Sequence, residues 1–293
     1  MTEVLGWAAT WGLLHRATTR VATPVVRRYP GARVSAERFA ARSLSSLHAI
    51  VSSVCGAAII RELCCSPSLG MEEEDQEEDV SAEAIPWLTS FVPTIRTPHS
   101  KILHKCISFE GGFYLYDALA DIRRTLRVHG RVRLVDVGYL AHHIVPLLAL
   151  PAFYRWRRRR RLSGDSDLGL LDFITASLLA TNITTLFANV QWQWRALDPK
   201  ATQRRSYKML LSLNTLLYFF TRVGFWPWLI CVFRRGRKLR TSLWTVFSSL
   251  PRHCRWGTSV LFAVNFIWWW GNVRKTLAST CPGLIVRLPA NIL

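Results

Sequence analysis

Three observations predict an all-α fold, a polytopic bundle of about six to seven transmembrane helices. Several apolar runs approach or exceed the ~20 residues that cross a bilayer. Half of the 293 residues are hydrophobic, and the mean hydropathy is positive at +0.15. The basic residues fall between the apolar runs rather than along one face of a soluble fold. The 13 Trp and 14 Phe add to this reading, because Trp favours the headgroup level where an apolar ring meets a wet N–H.

Taken in order, the first strong span is Leu44 to Leu63, with small and hydroxyl residues that let helices approach closely in lipid. The apolar stretch Ile85 to Ile95 is broken by Pro86 and Pro93 and reads as a short re-entrant or kinked segment. Further spans are expected at Ile102 to Ile122, Leu134 to Tyr154, Leu168 to Trp192, Met209 to Phe233 and Trp256 to Asn272. A transmembrane domain over residues 44–275 follows, with a tail at 276–293.

Residues 1–43 form a basic N-terminal segment whose apolar run, Val4 to Leu14, is short for a span. It reads as an interfacial helix or a tilted extra span, with Trp7 and Trp11 at the interface. Its many Arg and few acids also match the composition of a cleaved mitochondrial presequence. Residues 71–83 carry eight of the 19 acidic residues and read as a flexible acidic loop. That loop is the best candidate for the non-cytosolic side. Strict alternation then puts the run Arg157 to Arg161 outside, against the positive-inside rule, so one segment before it is re-entrant or the list of spans differs.

Several function classes are disfavoured. The formal charge of +19 does not indicate nucleic acid, because its residues are juxtamembrane. Such clusters attract anionic lipid headgroups, at roughly 1 kcal/mol per residue. The seven Cys include no CxxC pair, so a zinc or redox site is not indicated; Cys64 and Cys65 are a candidate acylation site or simple helix-end packing. The acidic loop lacks the alternating ligands and glycine of an EF-hand. His142 and His143 are adjacent and lack the i,i+4 spacing that puts two metal ligands on one helix face. No internal repeat supports an inverted-repeat transporter.

Ionisable residues at membrane depth are expensive and usually face the bundle interior. His48, Asp117, His142, His143 and Asp172 are the candidates, beside Glu110 and Asp121. A neutral imidazole accepts a proton from an amine or hydroxyl nucleophile, and a carboxylate holds it in the needed tautomer. The plainer role is helix joining through buried hydrogen bonds, averaging about 0.6 kcal/mol each. Thr181, Asn182, Thr184, Thr185 and Asn189 give one helix a polar flank suited to helix joining or to a lipid headgroup.

Four stretches together resemble the TLC domain family over residues 40–275. They are Arg42-Ser43-Leu44-Ser45-Ser46-Leu47-His48-Ala49; Gly112-Phe113-Tyr114-Leu115-Tyr116-Asp117; His142-His143-Ile144-Val145; and Thr184-Thr185-Leu186-Phe187-Ala188-Asn189-Val190-Gln191-Trp192. The chain departs from the family's ceramide synthases. Asn182 stands where many members carry Glu, and Leu186 replaces a Pro. In the Lag-type motif Leu171 replaces the His before Asp172, and Thr175 or Ala176 takes the second acidic position.

The resemblance implies a membrane protein that binds lipid and regulates membrane lipid composition or lipid homeostasis, with no cofactor. The alternative is an N-acyltransferase of the ceramide synthase type, with acyl-CoA as co-substrate and an amine-bearing lipid as acceptor. Its catalytic residues would be His142, His143, Asp172 and Asp117. Lipid contacts would fall to His48, Tyr116, Asn182, Thr185 and Asn189. A transporter is a third reading, resting on helix count and intramembrane polar residues alone. The expected partners are membrane lipids, with anionic headgroups at the basic loops, and the expected compartment is the endoplasmic reticulum or another endomembrane, with mitochondria second.

Overall fold

The computed structural model describes residues 1–29, 31, 32, 34–65, 100, 102–130, 140, 143–148, 154, 155, 157–159, 168–236, 243–249 and 252–280. The expected loop at 71–83, the kinked segment at 85–95, the C-terminal tail beyond residue 280 and His142 lie outside them. Among the described residues there is no β-strand. Helices α1 (Thr2–Arg27), α2 (Ala36–Cys65) and α3 (Leu103–His129) come first, then α4 (Leu168–Ala180) and α5 (Ile183–Leu197). Helix α6 (Arg205–Tyr218) runs through a π-helical turn, Phe219–Val223, into α7 (Phe225–Gly236); α8 (Leu243–Ser249) is short, and α9 (Arg252–Thr280) is long. The described residues between 140 and 159 are also helical.

Among the described residues, three helical stretches are long and apolar enough to cross a membrane: Ala36–Cys65, Asp172–Leu197 and Arg205–Val232. They contain or overlap three of the expected spans. The expected span at 102–122 coincides with α3 from residue 103 onward and that at 256–272 falls inside α9, and these helices carry too much polarity to be counted with the three. Exposed Val54, Leu216 and Phe220 give the apolar helices a lipid-compatible outer surface.

Helix α2 is the hub, packing against α1, α4, α5 and, less extensively, α3. Two glycines permit the close crossings. A Cβ on Gly56 would lie 2.5 Å from the Ala176 carbonyl oxygen and 2.6 Å from the Ala180 nitrogen, so α2 and α4 touch backbone to backbone. A Cβ on Gly112 would collide with Trp7, so α3 and α1 do the same. The apolar core beside the first crossing gathers Ile59 and Leu63, Leu103 and Ile107, Phe173, and Val232 of α7.

The N-terminal segment is a full 26-residue helix. Trp11, expected at the headgroup interface, is instead 2% exposed and packs edge-on against Phe113 of α3 with ring centroids 5.1 Å apart. The reason is the register of α1 on α3. The contacts Trp7–Phe109, Trp11–Phe113 and His15–Tyr116 advance together, so the two helices run parallel and one face of α1 is buried.

The expected span Leu168 to Trp192 is two helices, broken at Thr181 and Asn182. Local polar groups explain the break. Thr181 Oγ1 donates to the Leu178 carbonyl (2.7 Å) and Thr184 Oγ1 to that of Thr181 (3.0 Å), while the Asn182 and Thr185 amides bond three residues back rather than four.

Candidate functional site

The interior of the bundle is built around charges that sequence spacing alone does not pair. His48, on the α2 face toward α3, is 4% exposed. Its Nε2 lies 3.1 Å from Glu110 Oε2, and the Glu110 side chain is 5% exposed. The His48 ring stacks on Phe113, with centroids 3.7 Å apart and planes inclined by 8°. Trp11 of α1 closes the other side of this box. An ionised carboxylate here is tolerable only with a partner of complementary character, and the imidazole supplies it. Glu110 was legible as an expensive intramembrane acid but was not among the candidate site residues. The signal that could have found it is its helical spacing, since Phe109, Glu110, Phe113 and Asp117 recur at three and four residues.

One turn along α2, Ser52 extends the polar interior. Asn182 Nδ2 donates to Ser52 Oγ (2.8 Å), and Ser52 Oγ donates to the Leu179 carbonyl (3.3 Å). Asn182 Oδ1 in turn accepts from Arg222 (2.9 Å). Arg222 sits in the π-helical turn, a local widening common at functional sites. Tyr114 neighbours both Glu110 and Arg222. This part of the interior thus brings the Glu110 carboxylate and the Arg222 guanidinium together with His48, Ser52, Tyr114 and Asn182. Arg222 was also missed. It is a lone cation inside the run Met209 to Phe233, the pattern that marks an interior-facing charge.

The second imidazole–carboxylate pair joins His143 Nε2 to Asp117 Oδ2 at 3.3 Å, with both side chains largely buried. Tyr114 lies against the His143 ring, centroids 5.4 Å apart. Asp117 also faces a groove between α1, α2 and α3, as does Tyr116. His143 and Asp117 therefore meet inside the bundle.

Asp172 does not join them. Its carboxylate is 1% exposed and is gripped by Arg157, Nε to Oδ1 at 3.0 Å and Nη2 to Oδ2 at 2.8 Å. It also accepts the Ser100 amide at 2.8 Å. Arg157 Nη2 bonds the Ser100 carbonyl, and Ser100 Oγ donates to Glu62 Oε2 at 2.6 Å while accepting the Leu103 amide. This network ties the ends of α2, α3 and α4 to the arginine run. A bidentate guanidinium and a backbone amide thus occupy the acceptor sites of Asp172. Within the arginine run, Arg157 is 11% exposed, whereas Arg158 and Arg159 are exposed.

The polar flank of α5 is largely turned to α2. Asn189 Oδ1 accepts from Arg42 (3.2 Å), and Gln193 donates to Ser43 (2.9 Å). Arg38 and Arg42 lie over the Trp192 ring at 5.3 and 5.5 Å. Thr185 is half-buried. Of the proposed lipid-contact residues, His48 and Asn182 both lie in the central interior, Asn189 joins helices further along α2, and Tyr116 lines the groove. Among the described residues no three His, Cys, Asp or Glu side chains are grouped as a metal site needs.

A helical bundle with apolar flanks and acid–imidazole pairs in its interior defines a multi-pass membrane protein. The chain belongs to the TLC domain family, whose model matches residues 38–274. No curated protein and no solved structure matches the chain. Helix α1 precedes the matched region and still completes the aromatic box around His48.

Proposed function

We propose that this protein binds membrane lipid within its helical bundle and thereby regulates membrane lipid composition. The observation that carries the reading is the polar interior of His48, Glu110, Asn182 and Arg222, enclosed by helices whose outer surfaces are apolar. Such a constellation recognises a polar headgroup or linkage while the chains lie between helices. The coupling of Asp172 to Arg157 supports a non-catalytic member, because it takes away one acid that a ceramide-synthase-like reaction would use. Endoplasmic reticulum or another endomembrane is the compartment that goes with this reading.

The second reading is an N-acyltransferase, and one contact favours it. With Asp117 3.3 Å from His143 Nε2, the carboxylate orients the imidazole and sets its tautomer. The other ring nitrogen would then accept the proton of an amine that attacks the thioester carbon, and return it to the departing CoA thiolate as the C–S bond breaks and the amide forms. Acyl-CoA would be the co-substrate.

A lipidome separates the two readings. Wild type and His142→Ala/His143→Ala are expressed at equal membrane abundance in cells without endogenous ceramide synthase. The first reading expects no N-acylated sphingoid lipid from either and a phospholipid shift from both. Restoration of those lipids by wild type alone overturns it in favour of acyl transfer.

A further inference from the structure

We infer that the groove between α1, the start of α2 and the second half of α3 is a binding site for one anionic glycerophospholipid, with its phosphate on Arg16, Arg20 and Arg123 and an acyl chain along the α1–α3 seam.

The groove has a volume of about 1180 Å³. Because α1 and α3 run parallel, its walls change character in the same direction on both helices. The first half of α1 contributes Leu5, Ala8, Gly12 and Leu13, followed by Arg16 and Arg20. Helix α3 contributes Leu115 and Leu119, followed by Arg123, Arg124 and Arg127. One end is therefore apolar and the other cationic. From Leu5 to Arg20 the wall is roughly 22 Å long at 1.5 Å per residue. That exceeds the ~15 Å hydrocarbon depth of a single leaflet. An acyl chain with a headgroup at its end matches this gradient, and a free anion would use only the basic end.

Charge complementarity selects the headgroup. Six arginines in the lining face three carboxylates. Arg124 is paired with Asp121, Arg127 with Glu37 at 3.2 Å, and Arg38 lies over Trp192. Arg16, Arg20 and Arg123 have no partner among the described residues. Exposed arginines alone would mark only a solvated surface. A second observation lies in the groove wall. The Tyr116 hydroxyl is buried, in a residue 8% exposed, with no hydrogen-bond partner among the described residues, and the residue lines the groove. A buried hydroxyl without a partner is costly, and a lipid ester carbonyl below the phosphate would accept a hydrogen bond from it. Gly12 supplies room: a Cβ there would meet nothing within 4 Å.

This site lies largely on α1, before the family-matched residues, and it rests on the lipid-binding reading only for the class of its occupant. Its test is binding, so it can fail while the lipidome result stands. The full chain is reconstituted in phosphatidylcholine vesicles containing a minor fraction of phosphatidic acid, and retained lipid is weighed by native mass spectrometry. Wild type should carry one phosphatidic acid in preference to phosphatidylcholine. Arg16→Gln/Arg20→Gln/Arg123→Gln should weaken that preference by roughly fivefold per arginine, on the order of 100-fold for the three. Gly12→Trp should abolish retention while leaving the helical circular dichroism unchanged, because its side chain enters open space. Arg61→Gln/Arg158→Gln/Arg159→Gln removes equal charge from exposed sites outside the groove and should retain the lipid. Undiminished retention by the Arg16 triple variant or by Gly12→Trp overturns the site. Equal loss in the Arg61 triple variant also overturns it, since general attraction of charge to the membrane would then explain the binding.

Discussion

Glu110 on α3 and His48 on α2 stand 62 positions apart in the chain, yet their side chains meet at 3.1 Å inside the bundle. Phe113 stacks on the imidazole, so the pair is held between an aromatic face and the neighbouring helix. Breaking a buried pair by removing one partner leaves the other charge or dipole uncompensated.

Glu110→Ala and His48→Ala are each expected to destabilise the bundle by about 3 kcal/mol. The double variant should cost less than the sum, because neither orphan is left behind. Thermal unfolding in detergent, analysed as a double-mutant cycle, checks the non-additivity.

Arg222→Leu removes the guanidinium that donates to Asn182 and leaves Asn182 Oδ1 without that bond. The expected loss is about 1–3 kcal/mol. Asn182→Ala in the same background should add little beyond its own loss of the Ser52 contact, which the same unfolding measurement reads.

Asp172→Asn weakens a bidentate grip and is expected to lower stability by about 2 kcal/mol or more. Arg157→Lys should not restore the wild-type value, because an ammonium lacks the planar fork that meets both oxygens. At matched abundance, Asp172→Asn should keep the wild-type lipid phenotype. Its loss would return Asp172 to the functional site.

Gly56→Leu and Gly112→Leu should each prevent stable assembly, since a side chain at either position collides with the facing helix. Gly6→Leu should be tolerated, because its Cβ meets nothing within 4 Å. Size-exclusion profiles of the three variants compare the outcomes directly.

A presequence lost on import would remove Trp11 from the aromatic box around His48. Deleting residues 1–29 exposes the faces of α2 and α3 that α1 covers, and a marked drop in melting temperature is expected. A tag ahead of Thr2 that stays attached to the mature membrane protein agrees with α1 as a structural helix; its removal by processing would count against that.

By itself the amino-acid order determined the all-α membrane class, the apolar helices centred on Leu44–Leu63 and Met209–Phe233, and the short inventory of interior polar residues. Those properties are local: a helix hydrogen-bonds within itself, and hydropathy is a sum over neighbouring residues. The tertiary structure decided the partners. It set His48 against Glu110 and His143 against Asp117, and it drew Asp172 away to Arg157. It also turned Trp11 inward and broke the long span at Asn182. Pairing depends on which helix faces meet and at what register. In these apolar helices the facing is set by close-packed glycines, such as Gly56 against Ala176 and Gly112 against Trp7, because lipid and core are equally apolar and the hydrophobic pattern does not distinguish them.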